Sequence, residues 1–183
     1  MKIAIFTSSP NVEGLTASCG FAASRGAVEG GAEVLNIDLD GLRINRCDVC
    51  GNGWGSCLDE HICRQEDDFE KLHSQIADCD AYIVVTPVYW GEMSETAKAF
   101  FDRLRRCEAW KKEQSIFYGK PAVGVAAAGG SGNGTLSCLE SMERLFKHMG
   151  ADVFDLIGVT RKNRAYKLET IKNCAKTIAE LEQ

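Results

Sequence analysis

Residues 81–87 read AYIVVTP. The run is apolar almost throughout and rich in β-branched side chains. A strand with one wet face alternates apolar and polar residues, whereas a strand covered on both faces does not. The stretch therefore predicts a parallel strand buried between two layers. Just downstream, Ser94 stands where a helix N-cap is needed, ahead of Ala97, Phe100, Phe101 and Leu104 at helical spacing. Just upstream, DDFEKLHSQIADCD (67–80) carries Phe69, Leu72, Ile76 and Ala77 with the same period.

The alternation continues in both directions. KIAIFTS (2–8) reads as a short buried strand, and a helix follows from about Leu15 to Val28, stopped by Gly30 and Gly31. AEVLNIDL (32–39) is a second strand whose apolar members are Val34, Leu35, Ile37 and Leu39. PAVGVAAAGG (121–130) is a fourth, followed by a helix over about 135–148 with Leu136, Leu139, Met142 and Leu145 inward. ADVFDLIGVT (151–160) is a fifth, and a last helix places Leu168, Ile171, Ala175, Ile178 and Leu181 on one stripe. Strands and helices in strict alternation mean an α/β fold with a parallel sheet. Right-handed crossovers and five strands predict a flavodoxin-like three-layer sandwich of order 2-1-3-4-5, with a Rossmann sheet as competitor. The expected organisation is one domain over 1–183, with an irregular Cys-rich insertion at about 40–66.

The chain has 183 residues, 45% hydrophobic and 26% charged, with a formal net charge of −5. Such a balance argues against a nucleic-acid partner. No apolar run reaches the roughly 18–20 residues of a membrane span. The apolar part of MKIAIFTSSP is only IAIF, too short for a signal-peptide core. A cytoplasmic location is therefore expected, and there nine cysteines argue for metal or redox work and for small buried groups, not for a disulfide framework.

In such sheets ligands bind beyond the carboxyl ends of the strands. Three loops lie there. TSSPNVEGLTAS (7–18) surrounds a turn with hydroxyls and runs into a helix N-terminus, whose amides and dipole suit a phosphate. It carries no Lys or Arg, and it matches neither GxxxxGK[ST] nor GxGxxG. TPVYWGEMS (86–94) places Tyr89 and Trp90 past the mouth of the buried strand, where they would flank a flat ring or pack at a contact. AAAGGSGNG (126–134) lets backbone approach a ligand closely. A phosphate cradle, an aromatic wall and a glycine-rich edge together describe a flavin mononucleotide (FMN) site.

A fourth feature is CDVCGNGWGSCLDEHIC (47–63), four cysteines within one loop. Zinc is disfavoured, because Cys47-x2-Cys50 makes one knuckle but Cys57-x5-Cys63 a poor second, and nothing requires His61 as a replacement. An iron–sulfur cluster, free thiols and a labile disulfide remain open.

These segments resemble the flavodoxin-like NAD(P)H-dependent FMN reductases and iron–sulfur flavoproteins. SSPNVEGLT is similar to their GSPR-x-x-G-NT phosphate loop, and TPVYWGEMSETAKAFFDR to their PVYW-x-x-MS…K-x-F-x-DR segment. The Cys-rich run ahead of EDDF also resembles theirs. The resemblance implies that Ser8, Ser9, Asn11, Gly14, Leu15 and Thr16 surround the FMN phosphate. It implies that Pro87, Val88, Tyr89, Trp90, Gly91 and Met93 run along the isoalloxazine ring, and that Gly129, Gly130 and Ser131 approach its other edge. Asn11 and Leu15 depart from the Arg and Asn usual there, which implies weak FMN retention. It further implies NAD(P)H as co-substrate, a small-molecule electron acceptor such as a quinone or flavin, and a homodimer or homotetramer with Trp90 at a contact. The alternative within the family is one-electron transfer, with ferredoxin as donor and a 4Fe-4S cluster on Cys47, Cys50, Cys57 and Cys63. There Gly53 occupies the usual third ligand position and Cys57 follows four residues later. A non-catalytic cysteine redox or metal-sensing module is the reading from another class.

With a flavin carrying the chemistry, no side-chain nucleophile or general base is expected. Cys19 to Arg25 and Cys138 to Arg144 match C-x5-R, but both fall within predicted helices, where no loop amides converge on the thiol. Asp102, Arg103, Arg105 and Arg106 are expected at a solvated or subunit-facing helix end, and TRKNRAYK (160–167) in a solvated basic loop.

Overall fold

The computed structural model describes residues 1–181. Its five strands are β1 (Lys2–Thr7), β2 (Glu33–Asp38), β3 (Ala81–Pro87), β4 (Pro121–Ala128) and β5 (Asp152–Thr160). All pair in parallel, in the order β2-β1-β3-β4-β5. The helices are α1 (Leu15–Glu29), α2 (Ser56–Asp59), α3 (Phe69–Gln75), α4 (Glu95–Glu108), α5 (Thr135–His148) and α6 (Arg164–Ala179). This is the flavodoxin-like order expected from the alternation. The insertion is less irregular than expected, since it contains the single helical turn α2.

The period-two geometry of the strands divides the core into two layers. Ile3, Ile5, Ile83, Val85, Val123 and Val125 face α1 and α6. Ala4, Phe6, Tyr82 and Val84 face α3, α4 and α5. Phe6, Phe100 and Phe101 form a tight aromatic group there, with ring centroids 5.0–5.6 Å apart. β3 is buried from Ala81 to Thr86 on both faces, as its apolar run requires.

Three expected inward residues are exposed. Leu136 is 81% exposed, because the buried stripe of α5 is Cys138, Leu139, Met142, Leu145 and Phe146. Ala77 lies past the end of α3 and is exposed, and Leu181 lies past the end of α6 at 39% exposure. The TRKNRAYK stretch is only partly a loop, since α6 begins at Arg164. Among the described residues no helix is long and apolar enough to cross a membrane.

Ser94 caps α4, its hydroxyl accepting from the Ala97 amide at 3.3 Å. The same hydroxyl donates to Ser8 Oγ at 2.9 Å, and Ser8 Oγ to Thr86 Oγ1 at 3.2 Å. The Ser94 amide returns to Thr86 Oγ1 at 3.0 Å. This buried relay ties the ends of β1 and β3 to the start of α4. Ser94→Ala removes the cap and leaves Ser8 short of a donor. It is expected to lower stability by about 1–2 kcal/mol, read as a lower urea midpoint with unchanged slope.

Candidate flavin and cysteine sites

The loops after β1, β3 and β4 meet at one edge of the sheet. Gly14 begins α1 in an extended conformation with no side-chain cap, and the first turn carries no acidic residue. The first amides of a helix have no intrahelical partner, so this end is open to an anion. The loop ahead of it is shaped by its own groups: the Gly14 amide donates to the Asn11 carbonyl at 3.0 Å, and the Glu13 amide to Asn11 Oδ1 at 3.1 Å. Asn11 thus serves the turn's shape. Ser8 and Thr16 are buried, Ser9 and Leu15 half-buried, and Asn11 exposed.

Past β3 the chain makes a tight turn in which Tyr89 and Glu92 exchange both backbone bonds, at 2.9 and 3.0 Å. Trp90 and Gly91, the central residues, have φ of 52° and 83°. A bulky side chain in that region is strained, and Trp90 is also fully exposed at 104%. Pro87 and Val88 are half-buried and Met93 buried. The Val88 amide donates to the Ala127 carbonyl at 3.0 Å, extending the β3–β4 ladder beyond the sheet.

The glycine-rich loop lies against this turn. A Cβ on Gly134 would stand 2.8 Å from Gly91 Cα, and Gly134 itself has φ of 80°. Gly134→Ala therefore combines a backbone clash with left-handed strain. Its expected cost is about 2 kcal/mol or more, with weaker FMN binding as the turn moves, measured by urea unfolding and flavin titration. Around Gly129 and Gly130 the reverse holds: a Cβ there would meet nothing within 4 Å. An uncapped helix end and open volume beside the glycine-rich edge fit a phosphorylated planar ligand. Ser131 is exposed beside that volume. The structure thus brings the three loops together, with Trp90 turned fully to solvent.

The four clustered cysteines face one cavity of about 530 Å³. The turn at Gly51–Gly53 and α2 swing Cys57 back toward Cys47 and Cys50. Four residues between 49 and 53 adopt positive φ, and a Cβ on Gly55 would stand 2.5 Å from Cys50 Sγ, so the coil depends on its glycines. None of the nine cysteines forms a disulfide. Among the described residues no three His, Cys, Asp or Glu side chains converge on a single metal ion. A cluster holds its four thiolates further apart than one ion does, so a shared cavity suits it better. His61 lines a neighbouring cavity, not this one.

Arg103 corrects the expectation of a solvated helix end. It is 1% exposed and lines the cysteine cavity with Arg106. Its guanidinium pairs with Asp67 at 2.6 and 3.1 Å, donates to the Asn45 carbonyl at 3.0 Å and to Cys63 Sγ at 3.3 Å, and lies over the Phe69 ring at 4.3 Å. Burial alone would raise the Asp67 pKa, but Arg103 and the amides of Asn45 and Phe69 more than offset it and hold the carboxyl below its ordinary range. Nε of Arg103 and of Arg106 are buried without partners. Arg106 lies over the Trp54 ring at 4.1 Å, and two arginines lining the same cavity as four thiols fit an anionic, thiolate-bound group. Arg103 was legible only as spacing: Phe100, Arg103 and Cys107 share one inward stripe.

The C-x5-R pairs carry no thiolate chemistry. Cys19 and Cys138 are fully buried within helices, and burial pushes both thiols up to about 12. His73 is buried against Glu108, and His148 meets Arg105 at the end of α5.

The sequence profile of the NADPH-dependent FMN reductase family matches residues 1–162. An iron–sulfur flavoprotein of Methanocaldococcus jannaschii is 26% identical over 195 residues, covering 99% of this chain and 97% of its own. One from Methanosarcina thermophila is 33% identical over 117 residues, or 62% of this chain and 55% of that one. The chain spans about half the length of that relative and of one from Archaeoglobus fulgidus, where the share is 46%. An NAD(P)H:quinone oxidoreductase from Methanothermobacter marburgensis shares the fold, with a TM-score of 0.71 at 18% identity over 100% of this chain and 98% of that chain. With all five strands and the three strand-end loops inside the matched stretch, the chain belongs to the NADPH-dependent FMN reductase family.

Proposed function

We propose that the chain is an FMN-dependent oxidoreductase that takes electrons from NAD(P)H and passes them to a small acceptor such as a quinone or a flavin. The meeting of three strand-end loops at one edge carries this reading. They are joined by the Ser94–Ser8–Thr86 relay, the Val88–Ala127 bond and the Gly91–Gly134 contact. FMN, when bound, supplies both two-electron and one-electron transfer. The chain's part is to bind and orient. The first amides of α1 take the phosphate, the Pro87–Met93 segment lies along the ring, and Gly129 and Gly130 leave room at its edge. Fully exposed, strained Trp90 supports a homodimer or homotetramer with a contact beside the site. A reducing, cytoplasmic setting accords with nine unbonded cysteines. The test is a flavin spectrum of the purified protein together with NAD(P)H oxidation measured against free FMN. A colourless protein that binds no added FMN refutes the proposal.

A second reading is an iron–sulfur flavoprotein, with a 4Fe-4S cluster on Cys47, Cys50, Cys57 and Cys63 and ferredoxin as donor. The cavity shared by the four thiols, Arg103 and Arg106 favours it. Iron and acid-labile sulfide, quantified after anaerobic purification, decide the matter. Neither being present leaves the simple reductase.

A further inference from the structure

The phosphate loop, residues 7–18, contains no Lys or Arg. A cation reaches the same helix end from elsewhere in the fold. α1 and α6 follow parallel strands, pack on the same face of the sheet and both begin at the ligand edge. They run alongside each other in a fixed register. Arg164, the first residue of α6, donates from Nη2 to Ser18 Oγ at 2.9 Å across 146 residues. The same offset brings Gly26 against Lys172 and Gly30 against Lys176. A Cβ on Gly26 would stand 1.9 Å from the Lys172 carbonyl, so only glycine allows α6 to lie this close. The Ser18 hydroxyl in turn donates to the Gly14 carbonyl at 3.0 Å, which anchors the guanidinium one helical turn from the uncapped amides.

Most other cations along this helix pair are matched: Lys176 pairs with Glu180 at 3.7 Å, while Lys167 lies over the ring of its neighbour Tyr166 at 5.9 Å. Arg25 and Lys172 both pair with Glu29, at 3.4 and 2.8 Å. Arg164 has no carboxylate at ion-pair distance among the described residues. Arg161 and Lys162, on the adjoining exposed turn, add positive potential but make no bond to α1.

We propose that Arg164 supplies, from the head of α6, the positive charge that the FMN phosphate lacks in its own loop. The proposal rests on the flavin reading above. It makes the docking of α6 on α1 part of cofactor binding, and it places the cation where the α1 dipole already favours an anion. Charge at this range acts through solvent and is screened over about 8–10 Å at physiological salt.

The test titrates flavin-free protein with FMN and with riboflavin, which lacks the phosphate, at low and high salt. Arg164→Gln is expected to raise the FMN Kd about tenfold at low salt, to leave the riboflavin Kd unchanged, and to lose its effect at high salt. Arg164→Lys should keep most of the affinity, and Ser18→Ala, which removes only the anchor, should lose less than Arg164→Gln. Equal weakening of both flavins means that Arg164 merely supports the fold, and overturns the proposal. So does an unchanged FMN Kd with a raised KM for NADPH, which assigns the charge to the co-substrate. Wild-type protein that binds neither flavin overturns the flavin reading itself.

Discussion

Asp67→Ala is expected to destabilise the protein by about 3–5 kcal/mol, because it leaves the Arg103 charge buried without its carboxylate. Both side chains are out of water, at 1% and 0% exposure. What remains for the guanidinium is the Asn45 carbonyl and a thiol, while its Nε already lacks a partner. For a chain of this length the loss corresponds to a melting temperature roughly 10 °C lower or more. The damage should centre on the cysteine loop. Asp67 also accepts from the Asn45 amide at 2.8 Å, and beside it Arg43 and Asp68 exchange backbone and side-chain bonds at 2.7 and 2.9 Å. These bonds close the base of the loop that carries all four cysteines. Hydrogen exchange should therefore speed up over residues 45–63 before the sheet is affected. Replacing both partners, as Asp67→Leu with Arg103→Met, should recover most of the stability, since no uncompensated charge then remains. A single variant that loses under 1 kcal/mol would show that the pair is not structural.

That ion pair marks the limit of what the sequence discloses. The β3–α4 unit was fully legible, because apolar runs, a Ser cap and helical spacing are local signals. Arg103 was not, since its carboxylate lies 36 residues away. Charge alone argued for solvent, and only the stripe shared with Phe100 and Cys107 argued otherwise. Leu136 failed in the opposite sense. Its hydrophobicity suggested the core, but the stripe of α5 is set by Cys138, Met142 and Leu145, which leaves Leu136 on the ligand edge near the exposed turn. The flavin loops were legible as three weak signals that the topology rule brought together. Arg164 was not, because its place depends on the register of two helices separated by most of the chain.

The second large effect is expected at Glu108, the last residue of α4, which is fully buried. Its carboxylate meets His73 Nε2 at 2.7 Å, Lys111 Nζ at 2.6 Å and the Ile116 amide at 2.8 Å, with Glu70 facing the other His73 nitrogen at 3.6 Å. Burial alone would raise its pKa, but these partners outweigh burial and bring it from an ordinary 4.5 to about 2. A carboxyl whose folded pKa is depressed contributes stability that is complete above its unfolded pKa and is lost as pH falls toward the folded one. Glu108→Gln should therefore cost about 2–3 kcal/mol at pH 7. The gap from wild type should shrink below about pH 4.5 and fall to half or less near pH 3. Urea midpoints at pH 7, 5 and 3 test this, and a gap that persists undiminished at pH 3 refutes the assignment. The consequence reaches the ligand edge through the chain that enters β4. Glu108 holds the Ile116 amide, and the Ile116 carbonyl accepts from the Tyr82 hydroxyl of β3 at 2.9 Å. Protonating Glu108 therefore loosens the segment that sets β4 beside β3, the strand whose far end presents Gly129 and Gly130. Acid should accordingly weaken FMN binding before it unfolds the sheet, and Glu108→Gln should show that weakened binding already at neutral pH.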